Sequence, residues 1–213
     1  LAYGWSAEPP TGMVLRDNAI VCVCKSESVA AWRTVARNID VYIYGSHSDY
    51  WSPTPSIYTK AKELQQTWQD GATELFRAIS GYGNTRGSDL VHLRAWLTAR
   101  LLWDPSSDVQ ALVEDFCRGY YGPAADAVLE SIRLRHERFT GDGKHASPIV
   151  PSFVDPPTVR QINQLLGKAY DSTPADPYRK HLGMARIPYL WADFWLGYQE
   201  LGAYDPATGT WSV

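Results

Sequence analysis

Four carboxylates stand near the points where short apolar runs give way to loops or helices: Glu8, Glu27, Asp49 and Asp89. Two such groups flanking one bond can serve as general acid and as base or nucleophile, which is what hydrolysis of a glycosidic linkage requires. The same stretches carry His47 and flat side chains, Trp5, Tyr44, Tyr50, Trp51 and Tyr82, whose planes suit stacking on the C–H faces of sugar rings. Each polar residue also has a plainer reading. Glu27 follows Ser26 at a helix start, where a carboxylate complements the positive end of the helix dipole. Asp49 can bond its own turn, His47 reads as a solvated loop residue, and Asp89 beside Ser88 reads as a helix cap.

Other chemistries find little support. Cys22, Cys24 and Cys117 are an odd set without neighbouring histidines at ligand spacing, so they read as small buried apolar residues rather than a metal site or a disulfide framework. The segment GYGNTRG at 81–87 lacks the spacing of a phosphate-binding glycine loop, and no cofactor is expected. With 20 Lys+Arg against 23 Asp+Glu the formal charge is −3, which argues against a nucleic-acid partner. No apolar run approaches the roughly 20 residues that span a bilayer. The stretch RLRHER at 133–138 reads as a solvated helix face with paired charges. Nine Trp, 13 Tyr and 5 Phe exceed what the strand ends use, and Trp96, Trp103, Trp191 and Trp195, at helical spacing, are assigned to the core.

The elements that must position these groups fall into two parts, 1–88 and 89–213. In the first, strands are expected at Leu1–Trp5, Ala19–Cys24, Ile39–Tyr44 and near Thr73–Ile79, separated by helices over Glu27–Asn38 and Ile57–Gln69. Apolar strands alternating with helices predict parallel βαβ units. The second part reads as all-helical. A helix from Ser88-Asp89 runs to Trp103, and a capping box at Ser107 and Gln110 opens the next, through Tyr121. Others follow from Pro123 to Phe139, from Asp155 to Tyr170 and from Asp176 to Leu201. Because Leu1 opens inside an expected strand, the chain reads as part of a longer protein.

The order of these motifs is informative. VYIYG at 41–45, WSPTPS at 51–56, DLVHLRAWLTARLLWDPSSD at 89–108 and FCRGYYGPAADAV at 116–128 resemble an uncharacterised bacterial family of glycoside-hydrolase-like proteins, a domain of unknown function related to alpha-glucuronidases. The resemblance covers roughly residues 1–135. It implies an α/β fold in which residues 1–88 are the C-terminal half of a (β/α)8 barrel, with about four parallel strands, and 89–213 a helical region. It further implies catalytic roles for Glu27 and Asp49, and substrate contacts from Trp5, Glu8, Tyr44, His47, Tyr50, Trp51 and Tyr82. The partners implied are a carbohydrate and either the missing N-terminal barrel half or a second copy, in a secreted or periplasmic setting. Two departures stand out: Gly45 replaces an acidic residue that members commonly carry, and Ser80–Gly83 lacks a loop glutamate. These favour, as the alternative, a non-catalytic carbohydrate-binding or scaffolding relative. A third reading is an unrelated open α/β domain binding a small ligand.

Overall fold

The computed structural model describes residues 1–44, 53–78, 89–138, 155–174 and 176–200, with short pieces at 204–205, 207 and 210–211. The chain divides into two compact units. One gathers described residues 1–44, 57–78 and 94–112, and the other gathers 53–56, 89–93 and those from 113 onward.

The first unit is built on a parallel sheet of three strands, β1 (Ile20–Val23), β2 (Asn38–Tyr44) and β3 (Glu74–Ala78), in the order β1-β2-β3. Ile20 stands opposite Asn38 and Asp40 opposite Glu74. Val21, Val23, Ile39 and Val41 are buried, as strands covered by crossover helices require. The strand expected at Leu1–Trp5 is reduced to one parallel bridge between Ala2 and Val23. Gly4, at φ +59°, turns the chain into the 3-10 turn Gly4–Ser6, and the Ser6 hydroxyl accepts from Tyr3 N and donates to Tyr3 O. This local bonding competes with a strand ladder and ends it.

The helix expected over Glu27–Asn38 is also shorter. A 3-10 turn, Ser26–Ser28, leads into α1 (Val29–Trp32), followed by loose turns in which Val35 N and Ala36 N both bond Trp32 O. The apolar face is as expected, with Val29, Trp32, Val35 and Ala36 buried. The segment is cut short because β2 begins at Asn38. Trp32 fixes the packing by donating its indole N–H to Ala7 O at 2.7 Å.

Helix α2 (Ile57–Gln69) buries Ile57, Ala61 and Leu64, and α3 (Val91–Trp103) buries Leu93, Leu97 and Leu101. Two expectations about these elements fail. Trp103 is 90% exposed instead of core, because it lies two residues, about 200° of helical turn, beyond Leu101. Trp96 is half-buried with the Arg100 guanidinium 5.6 Å from its ring centre. Cys22 and Cys24 are half-buried rather than buried, while Cys117 is fully enclosed. Burial, aided by Asp40 opposite it, pushes the Cys22 thiol up to about 11.

The second unit is helical. Helix α4 (Val109–Tyr121), whose first residues belong to the first unit, starts at Asp108, whose side chain accepts from Ala111 N at 3.0 Å; the expected cap Ser107 instead donates its hydroxyl to Asp104. A 3-10 turn, Gly122–Ala124, carries Pro123 in its first turn and leads into α5 (Ala125–Arg138). Helix α6 (Pro156–Ser172) is capped by Asp155, which accepts from Thr158 N at 3.0 Å. Helix α7 (Tyr178–Glu200) contains the buried Pro188. Helices α6 and α7 pack along their length. Asn163 donates to Asp193 at 3.1 Å near one end, and the Tyr170 ring lies against Gly183 near the other. Between them Val159, Ile162, Leu166, Leu182, Ala185 and Tyr189 are buried. Tyr204–Asp205 and Thr210–Trp211 form a small antiparallel pair.

Candidate functional site

In a parallel sheet all strands run one way, so the segments that follow them emerge at one end. Four of the expected site residues are described there. Trp5 and Glu8 follow the Ala2 bridge, Glu27 follows β1, and Tyr44 is the last residue of β2, level with Ala78 of β3. Trp5 is 99% exposed, and both Glu8 and Glu27 are exposed. Glu27 sits in the first turn of the 3-10 segment before α1, where its plainer role as complement to the helix dipole also operates. His47, Asp49, Tyr50, Trp51 and Tyr82, and with them Gly45 and Ser80–Gly83, lie outside the described residues.

The structure adds a carboxylate that sequence reasoning passed over. Glu63 of α2 accepts from the Ser26 hydroxyl at 3.0 Å and forms a half-buried ion pair with Lys60 Nζ at 2.6 Å. It is thereby held beside the turn that carries Glu27. The signal was present: Lys60 and Glu63 are spaced i,i+3 on a helix whose apolar face packs inward, so their stems border that face. The same Lys60 lines a shallow pocket between α2 and α3 with Arg94, Thr98 and the apolar side chains of Leu64, Leu97 and Leu101.

The second unit holds the strongest electrostatic feature. Asp89, read from sequence as a helix cap, is instead buried, with one carboxylate oxygen 2.6 Å from Arg135 Nη1 and the other accepting from Thr54 N at 3.2 Å. Arg135, read as part of a solvated face, is fully enclosed, and the Tyr189 hydroxyl lies 3.5 Å from the same nitrogen. The neighbouring Arg133 does behave as read, bonding Glu130 at 2.6 Å and pairing with Glu137 on the surface. Burial pulls the Arg135 pKa down, and the Asp89 charge, with Tyr189 and the hydrogen bonds to both, together more than reverse that pull. Burial raises the phenol of Tyr189 to about 12 and the thiol of Cys117 to about 12, so both stay protonated beside the ion pair. Directly after Asp89, Leu90 is buried at φ +48°, a left-handed conformation that costs a leucine about 1–3 kcal/mol. The Asp89 carboxylate, two residues before α3, thus joins the Thr54 backbone to the inner face of α5.

A spacing argument would have found Arg135. Val128, Ser131, Ile132 and Arg135 follow the i, i+3, i+4, i+7 pattern of one helix face, and all four are buried. Arg133 lies about 200° away on the opposite face.

A second cluster surrounds Tyr120. His181 stacks on its ring with centres 3.8 Å apart and planes within 6°, and its Nδ1–H donates to the Tyr120 carbonyl oxygen 2.7 Å away. His92 and Phe116 stack on the same ring at 5.4 and 4.9 Å. Burial, and secondarily the charge of His181, lower the His92 pKa.

Among the described residues no group of three or more His, Cys, Asp or Glu side chains is arranged to hold a metal ion, and no helix is long and apolar enough to cross a membrane. No curated protein and no solved structure matches the chain. One family model does, the domain of unknown function DUF4838, over residues 1–133. That span is more than half of the 213 residues, and the chain belongs to this family.

Proposed function

We propose that the chain is part of a glycoside-hydrolase-like protein that acts on or binds a polysaccharide or oligosaccharide. The observation that carries this reading is the convergence of Trp5, Glu8, Glu27 and Tyr44 at the carboxyl end of a parallel sheet. An exposed aromatic plane such as that of Trp5, at the same end as carboxylates, is what a sugar cleft needs. The strand order also supports half of a (β/α)8 barrel over an open doubly wound sheet. Ala2, β1, β2 and β3 follow one another in chain order, without the reversal that makes a doubly wound switch point. On this reading a further (β/α) half, from the same polypeptide or a second copy, completes the sheet.

One observation favours the alternative of a non-catalytic carbohydrate-binding relative. Glu8 and Glu27 are both exposed to solvent. The test is turnover of aryl glycosides and retention on polysaccharide affinity gels by the whole protein. For a hydrolase, Glu27→Gln and Asp49→Asn each lower turnover by about 10²–10⁴-fold with little change in retention. Retention that is lost in Trp5→Ala, with no turnover in any form, selects the binding reading. Neither turnover nor retention on any polysaccharide overturns both.

A further inference from the structure

The sheet of the first unit has two unlike faces. Side chains alternate along a strand, so Val21, Val23, Ile39 and Val41 share one face, and all four are buried. Both crossovers, through α1 and α2, join neighbouring strands in the same sense, and right-handed connections lay both helices on that one face. The other face carries Ile20, Cys22, Asp40, Tyr42 and Glu74, and Cys24 continues it where its N–H bonds Ala2 O. Here Ile20 is 60% exposed, Glu74 is exposed, and Cys22, Cys24, Asp40 and Tyr42 are half-buried. Parallel sheets occur almost only with both faces covered, so this second face is a docking surface.

Its charge says what can cover it. Asp40 stands directly opposite Glu74 on the neighbouring strand, and on its other side the Cys22 thiol bonds its carboxylate. Like charges so placed are unfavourable. Among the described residues no cation pairs with either carboxylate. Enclosing the two therefore calls for positive charge from the covering side. A second copy of the chain cannot supply it there. In a closed parallel barrel all strands run one way, so a two-fold axis lies along the barrel and the copy stands at the same height. Its own Asp40 and Glu74 would face these two across the interior, four carboxylates in one enclosed layer.

We propose that this face receives a (β/α) layer other than a second copy of the chain, one that sets a lysine or arginine against Asp40 and Glu74. It rests on the barrel reading of the sheet and not on the carbohydrate chemistry. Cys24 reports on the covering, and Cys117, enclosed in the helical unit, is the internal reference. In the whole native protein, modification of Cys24 by N-ethylmaleimide, read by mass spectrometry of its peptide, is expected to be as slow as that of Cys117 and independent of protein concentration. Asp40→Asn and Glu74→Gln each leave the facing cation unopposed and raise the Cys24 rate about tenfold or more, with Cys117 unchanged. Asp17→Asn, at an exposed residue paired with Arg37, changes neither rate. Glu74 opens β3, so its replacement decides the matter even where Asp40→Asn does not fold. Cys24 modified as fast as in urea-unfolded protein, or at an unchanged rate in both variants, overturns the proposal. So does protection that appears only as the protein self-associates, which assigns the face to a second copy. Absence of turnover and of retention on polysaccharides, with Cys24 protected, removes the carbohydrate reading and leaves this one standing.

Discussion

Arg135 shows most directly how one side chain's surroundings decide its energetic role. An exposed ion pair contributes little, but a buried charge deprived of its partner is costly. Arg135→Met leaves the Asp89 carboxylate enclosed without a cation, and a loss of about 3–5 kcal/mol is expected from urea unfolding midpoints. Combining it with Asp89→Leu, which removes the orphaned charge, restores much of that loss. A simple sum of the two single effects would show that the residues do not act as a pair. The surface neighbour Arg133 pairs with two glutamates yet sits in water, so its removal has a far smaller effect. Composition treats these two arginines alike, and only the helical phase separates them. Asp89 was illegible for a related reason: a carboxylate before a helix caps it in most settings, and the partner that claims it lies 46 residues away.

At the scale of elements, the local rules hold where the apolar period is long and clean. Helices at 57–69, 91–103, 109–121, 125–138 and 156–172 appear close to where their periodicity and end signals place them. The same holds for the three strands. Rules fail where a short segment has two local options, as at Leu1–Trp5, where glycine geometry and a serine hydroxyl outcompete the ladder. The junction of α4 and α5 tests this local geometry. Gly122 has φ +52°, and a side chain added there would meet the Tyr178 ring at 2.7 Å. Gly122→Ala therefore combines left-handed strain with overpacking, and a fall of about 2–4 kcal/mol is expected. Gly119, three residues earlier within α4, faces open space. Gly119→Ala instead raises stability by up to about 1 kcal/mol. Thermal midpoints that move the same way in both variants would contradict this account. Of the candidate site, the strand-end residues were legible because βαβ grammar fixes where they must emerge. For Glu63 the spacing to Lys60 was legible but the bond to Ser26 was not, because that meeting depends on how α2 packs beside the turn after β1.

For the molecule as a whole, pH is an informative perturbation. The His92 pKa is lowered in the folded state from an ordinary value of 6.5, by burial first and then by His181. The unfolded chain therefore binds that proton more readily, so stability falls as pH drops below 6.5 toward the folded value. Unfolding midpoints measured between pH 7.5 and 5 are expected to decline, and His92→Gln to flatten part of that slope. An unchanged slope in the variant would assign the decline to other groups. The contact of Asp89 with Thr54 and Arg135 has a further consequence, in time rather than in equilibrium. It joins positions 35 and 46 residues apart, so it closes only after long stretches of chain have been brought together. Until then both charges remain hydrated and give the folding chain little help. Once closed, the pair must be pulled apart inside a dry core before the helices separate, so its effect falls mainly on how slowly the native state is lost.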